Sequence, residues 1–225
     1  MSFTGPPPSA AQNELPVDSK VNQFLNKQLT DISQDMEYNI KSSRIDPQGP
    51  LYSGKTFTSL RLKPELLKAL GELGFIQPSK IQEMILPVLL MAPPQNVIAQ
   101  AQSGTGKTVA FVLAMLSRVD PTKPWPQCIC LAPTFELALQ IGDVIRELGK
   151  HVLGLTWKYA IKGAQLQHGT KITEHIIIGT PGKTYDWIIK FKALDPSKIV
   201  AFVLDEADQM ISMQGIMEQS IRLHQ

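Results

Sequence analysis

Apolar positions change their period along the chain, and the changes mark the elements. Val21, Phe24, Leu25, Leu29 and Ile32 follow Asp18-Ser19-Lys20 at helical spacing, which predicts a short amphipathic helix over residues 19–34. Such a helix is marginal alone and needs a surface for its apolar stripe. The 18 residues before it are rich in Pro, Ser, Ala and Gln with no apolar period, and read as a disordered tail. Asp46-Pro47-Gln48-Gly49-Pro50 reads as a linker. Residues 1–55 are therefore expected to be extension and linker, and residues 56–225 a folded domain. In that domain Leu62, Leu66, Leu67, Leu70 and Leu73 form one helical stripe, with Pro64 at the first helical position and Gly74 just past the end. Ser79 opens a second helix through Ile81, Ile85 and Leu86. Strands are predicted at Asn96–Ala101, Gln127–Ala132, Leu155–Ile161, His175–Gly179 and Ile199–Leu204. Helices are predicted at Thr108–Val119, Phe135–Leu148 and Lys183–Lys192. This alternation predicts an α/β fold with a parallel sheet covered by helices, and the unbroken apolar runs Ile176–Ile178 and Val200–Leu204 fit its interior strands.

Composition narrows the class. The chain has 225 residues, 43% hydrophobic and 19% charged, enough to bury a core. The apolar stretch Met84–Ala92 is interrupted by Pro87 and falls far short of the roughly 18–20 residues of a membrane helix. The N-terminus lacks the basic and apolar regions of a signal peptide, and Cys128 and Cys130 make no disulfide framework. An intracellular, monomeric protein without membrane insertion is the expectation. A two-cysteine metal site would lack its other ligands, so buried thiols are the reading for both. The net charge is +2, but residues 151–200 hold seven Lys and Arg against three Asp and Glu. That excess suits a polyanion, although a solvated surface would look the same.

The strongest chemistry is Ala101-Gln102-Ser103-Gly104-Thr105-Gly106-Lys107-Thr108, lying just before a helix. Gly104 and Gly106 let the backbone curl so that successive N–H groups point into one concavity, and the helix start adds its dipole. Lys107 is suited to the β and γ phosphates of a nucleotide, and the Thr108 hydroxyl to Mg²⁺. Asp205-Glu206-Ala207-Asp208 closes the last apolar strand. Asp205 is suited to Mg²⁺ through water, and Glu206 to activating a water against the γ phosphate. Alone, three acids in four residues could equally be a solvated turn. Beside a phosphate loop in the same alternating domain they read as the second half of one site.

With these residues the sequence resembles the DEAD-box RNA helicases. The literal Asp205-Glu206-Ala207-Asp208 matches, as does the phosphate loop in its Ala-x-x-Gly-x-Gly-Lys-Thr form. Gly74-Phe75 through Pro78-Ser79-Lys80-Ile81-Gln82 looks like that family's Q motif, with the isolated aromatic at Phe57. The resemblance implies ATP and Mg²⁺ as cofactors, Gln82 on the adenine and Phe57 stacked near it. It implies Lys107, Asp205 and Glu206 as the hydrolytic residues and Asp208 as a coupling residue. Pro133-Thr134-Phe135-Glu136 resembles Pro-Thr-Arg-Glu, Gly163-Ala164 a Gly-Gly pair, and Thr180-Pro181-Gly182-Lys183 Thr-Pro-Gly-Arg. In the family these loops hold one RNA strand by its backbone, so Pro133, Thr134, Glu136, Gly163, Thr180, Pro181, Gly182 and Lys183 are the implied RNA residues. Phe135 replaces an arginine and Lys183 keeps a charge without a guanidinium fork.

Further stretches, including Ala110–Ser117 and Arg61–Leu67, look like the nuclear-pore mRNA-export branch of that family. That implies a nucleoporin partner on this domain, and a soluble activator with inositol hexakisphosphate acting mainly on a second one. It also implies residence in cytoplasm and nucleus, at the cytoplasmic face of the pore. The 19–34 helix could be the counterpart of a helix that restrains ATPase activity in some members. Motifs that follow the acidic tetrapeptide in that family do not occur here. The expectation is a RecA-like P-loop domain truncated after the DEAD motif, unable to unwind RNA alone, with a gap in its sheet and poor stability. The competing expectation is a non-enzymatic short form that binds a nucleoporin or competes for partners. A small GTPase is excluded by the absence of Asn-Lys-x-Asp.

Overall fold

In the computed structural model, residues 54–167 and 169–212 are described. The expected helix at 19–34 and the linker at 46–50 lie outside them. After a 3-10 turn at Phe57–Leu60, α1 spans Pro64–Glu72 with Pro64 at its first turn and Gly74 in a left-handed conformation beyond its end. Leu66 and Leu70 of its apolar stripe are fully buried. Helix α2 spans Lys80–Leu89 and starts with a reciprocal cap: the Ser79 hydroxyl accepts from Gln82 N and the Gln82 side chain accepts from Ser79 N. Helix α3 spans Lys107–Arg118 and buries Val112, Leu113, Met115 and Leu116. Lys63 Nζ donates to Leu116 O and Val119 O at its carboxyl end, where the helix leaves carbonyls without internal donors.

The sheet follows. Strand β1 is Cys128–Leu131, α4 is Phe135–Gly149, β2 is Trp157–Ala160 and β3 is Ile176–Gly179. Helix α5, Pro181–Tyr185, runs on into a π turn at Asp186–Lys190, so the helix expected at 183–192 starts earlier and ends as a wider turn. Strand β4 is Ala201–Leu204 and α6 is Ala207–Ser212. All pairings are parallel and the order is β2-β3-β1-β4. Alternate strand residues divide between two cores. Cys128, Cys130, Ile176 and Ile178 pack with α3 and α4, whereas Ile129, Leu131 and Ile177 pack with Trp187, Leu194 and Met210. Helices therefore cover both faces, as a buried parallel sheet requires. Burial pushes the Cys128 thiol up to about 12 and also raises Cys130. These two cysteines are core packing.

The strand expected at Asn96–Ala101 is absent. Residues 95–100 are irregular and exposed, and Ile98 is fully so. Strand β4 pairs only with β1 and is the last strand in the order, and the segment adds no ladder to its other edge. An apolar run forms a strand only when a neighbour satisfies its N–H and C=O groups, and residues 95–100 pair with no described strand.

Candidate nucleotide site and strand-end loops

The parallel sheet sends every strand-to-helix connection to one edge. Leu131, Gly179, Ala160 and Leu204 are in register at the carboxyl ends of their strands. The loops holding Thr134, Gly163, Thr180 and Asp205 therefore leave the sheet on the same side, the usual place for a ligand in such a sheet.

The phosphate loop stands before α3. Gly104 and Gly106 have φ of 77° and 91°, so both take the left-handed conformation their sequence pattern requires, and Gly106 is the N-cap of the 12-residue α3. Thr105 Oγ1 donates to Gln102 O at 2.8 Å. Lys107 Nζ folds back onto Ala101 O and Gln102 O, so its charge lies within the loop it is expected to serve. The half-buried Thr108 follows at the second position of the helix. Ala101 is half-buried, and Gln102 and Ser103 are exposed.

Gln82 is 4% exposed and joins two parts of the site. Its Oε1 accepts from Ser79 N at 2.9 Å, and its Nε2 donates to Gly106 O at 3.1 Å. Each end of the amide keeps capacity for one further bond. The sequence pointed to Gln82 as an adenine contact, while its bond to the phosphate loop links residues 24 apart and carries no local signal. Phe57 is 3% exposed and belongs to the main core.

Asp205 N donates to Leu131 O at 2.9 Å, fixing the start of the acidic turn to the end of β1. Burial and then the charge of Glu206 raise the Asp205 carboxyl above its ordinary value, while the Glu206 N–H and the Lys107 charge pull it back. Glu206 has φ of 51°, a left-handed conformation in a residue with a full side chain. Its carbonyl accepts from Gln209 N at 3.0 Å and opens α6. Asp208 is exposed. The hard oxygens of Thr108 and Asp205 fit Mg²⁺, which takes one or two protein oxygens beside phosphates and water.

The other implied residues divide by burial. Thr134 caps α4, its hydroxyl accepting from Leu137 N at 3.3 Å, and Glu136 in the first turn is exposed. Gly163 is exposed with φ of 91°, and Thr180, Gly182 and Lys183 are half-buried. Pro133 and Pro181 are buried, so they shape their loops and offer no side-chain surface. A groove of about 390 Å³ lined by Leu90, Met91, Pro94, Ser117, Arg118 and Val200 lies at the opposite end of α3 from the phosphate loop.

A two-faced parallel sheet, a glycine-bent loop capping α3 and an acidic turn on the same edge define a RecA-like nucleotide-binding domain. The sequence profile described as DEAD/DEAH box helicase matches residues 79–224. The chain belongs to the DEAD/DEAH box helicase family. It is 52% identical over 220 residues to the ATP-dependent RNA helicase DDX19A of Bos taurus, covering 98% of this chain and 46% of that protein. It is 54% identical over 207 residues to DDX25 of Mus musculus, covering 92% and 43%. Among solved structures, S. cerevisiae Dbp5 bound to RNA and ADP BeF3 matches at a TM-score of 0.71 and 47% identity, over 76% of this chain and 43% of that one. A Dbp5 variant bound to Nup159, a Gle1 variant, IP6 and ADP matches at 0.67 and 48%, over 72% and 42%. The chain thus spans less than half the length of these relatives.

Proposed function

We propose that this domain is the ATP-binding half of an RNA-dependent ATPase that remodels RNA or RNA–protein complexes. The observation that carries the reading is the common edge. The phosphate loop at α3, the acidic turn after β4 and three polar loops after β1, β2 and β3 belong to one domain, and the other end of α3, at Ser117 and Arg118, lines a groove with Val200 just before β4. Gly104, Gly106 and the start of α3 cradle the phosphates, with Lys107 leaving its own loop carbonyls for phosphate oxygens. Gln82 reads adenine with the capacity left on its amide. Phe57 supports that pocket from the core. Thr108 and Asp205 hold Mg²⁺, which neutralises phosphate charge. Glu206 orients the attacking water, and Asp208 faces a second domain. Thr134, Gly163, Thr180, Gly182 and Lys183 hold an RNA backbone without reading its bases. Hydrolysis and unwinding require a second domain of the same kind.

A role in mRNA export at the nuclear pore, with a nucleoporin and an activator as partners, is the finer proposal. It is supported by the similarity to Dbp5 solved with Nup159 and Gle1. The test is a titration with a fluorescent ATP analogue, competed by ATP and by GTP. The expected result is displacement by ATP but not by GTP, and loss of binding in Lys107→Ala. Equal competition by GTP contradicts the adenine assignment.

A further inference from the structure

We infer that Gly179 is the positioning residue that sets the spacing of the three strand-end loops proposed above to hold RNA. The inference rests on that RNA reading and adds a residue to it. Gly179 ends β3 and lies in register with Ala160 of β2 on one side and Leu131 of β1 on the other. The peptide group joining Gly179 to Thr180 serves both neighbours. Its carbonyl accepts from Ala132 N at 2.9 Å, the first residue of the loop carrying Thr134. Its N–H, on Thr180, donates to Ala160 O at 3.1 Å, just before the loop carrying Gly163. All three loops thus hang from one peptide plane.

Space explains why the position is glycine. A Cβ built there collides with the Ala160 carbonyl oxygen and stands 2.7 Å from both Ala160 Cβ and Thr184 Oγ1. The Thr184 hydroxyl is itself fully buried and has no hydrogen-bond partner. A side-chain tip can move aside, whereas a strand carbonyl inside a ladder cannot move without its strand. Any side chain at 179 therefore separates the ends of β2 and β3 and spreads the loops. The phosphate loop precedes α3 and is tied to Gln82, so it does not feel this change.

The test uses the full chain, a 5′-fluorescein decauridylate for RNA anisotropy and a fluorescent ATP analogue for the nucleotide. In Gly179→Ala, RNA affinity is expected to fall about tenfold, with nucleotide affinity within about twofold of the parent. The dependence of log affinity on log salt becomes shallower by about 0.7 for each RNA phosphate that the spread loops no longer hold. Thr184→Val, which removes the unpartnered hydroxyl at nearly constant shape, leaves RNA affinity unchanged. Thr184→Ala does not rescue Gly179→Ala, because the limiting clash is with a backbone carbonyl. Equal RNA binding by Gly179→Ala and the parent, or full rescue by Thr184→Ala, overturns the inference. If Gly179→Ala does not fold, hydrogen exchange on the parent decides. Saturating RNA is expected to slow exchange at the Thr180 and Ala132 amides, and unchanged exchange at both overturns the inference. Failure of the parent to bind RNA refutes the RNA reading itself.

Discussion

The Gln82 side chain donates to the Gly106 carbonyl at 3.1 Å while accepting the backbone N–H of Ser79 at 2.9 Å, so one amide caps α2 and braces the phosphate loop. The two duties separate by substitution. Gln82→Glu keeps an acceptor for Ser79 N–H but sets a carboxylate against the Gly106 carbonyl. Gln82→Ala loses both bonds. The glutamate variant is expected to keep the cap on α2, to lose stability at neutral pH through its buried carboxylate, and to bind nucleotide poorly. The alanine variant loses about 1–2 kcal/mol as well. Thermal melts beside nucleotide titrations check this, and equal nucleotide affinity in all three chains contradicts it.

Gly106 itself has no room for a larger residue. Its φ of 91° strains any L side chain, and a Cβ would run into the Gln82 amide. Gly106→Ala is expected to cost roughly 1–2 kcal/mol in backbone strain and to displace Gln82. Chemical denaturation of the variant measures the first effect and nucleotide titration the second.

Burial makes Asp205 a cost to folding at neutral pH. Its folded carboxyl is raised above 3.8, mainly by burial, so the folded chain holds its proton more tightly than the unfolded chain does. Folding is therefore penalised fully at pH above the folded value, and the penalty vanishes as pH falls below 3.8. Asp205→Asn is expected to be more stable than the parent at neutral pH, with the advantage shrinking in acid, and to lose the Mg²⁺ dependence of nucleotide binding. Melting curves from pH 7 to pH 4 read the sign, and a less stable variant at neutral pH contradicts the account.

Glu72 at the end of α1 accepts from Lys150 Nζ at 2.7 Å and His151 Nε2 at 2.9 Å beyond α4. The bond from Lys150, then that from His151, holds its carboxyl down at about 2, against the usual 4.5. The favourable contribution is complete above pH 4.5 and is lost as pH falls toward 2. Because the group is exposed, its size is small and screened by salt. In Glu72→Gln the acid limb of the stability curve is expected to flatten in this window. An unchanged limb contradicts the tie.

Cys128 and Cys130 are fully buried, and the Cys128 thiol is pushed up to about 12. Almost no thiolate exists at neutral pH, and thiolate is the reactive form. Alkylation by iodoacetamide is expected to track unfolding in a denaturant series. Rapid labelling of the native chain contradicts the packing.

Much of the fold was legible because it is written in local pattern. Ile176–Ile178 reads as an interior strand, and the stripe from Leu62 to Leu73 as a helix bounded by Pro64 and Gly74. The phosphate loop was legible for the same reason, since its two glycines and Lys107 lie within four residues. What was not legible depends on distant partners. Asn96–Ala101 has a strand's composition but no neighbour to pair with. Gln82 carries a familiar Ser-x-x-Gln cap, yet its bond to Gly106 appears only when α2 packs on α3. Phe57 stands where an aromatic near the base is expected, and packing places it inside the core. Gly179 ends an apolar run, and its role emerges only when three strands align.

The most direct test of the central claim is phosphate release by this domain paired with a second domain of the same kind, with and without single-stranded RNA, in parent and Glu206→Gln forms. The account predicts hydrolysis that RNA accelerates in the parent and that Glu206→Gln abolishes while nucleotide and RNA still bind. Hydrolysis indifferent to RNA, or undiminished in Glu206→Gln, would contradict it.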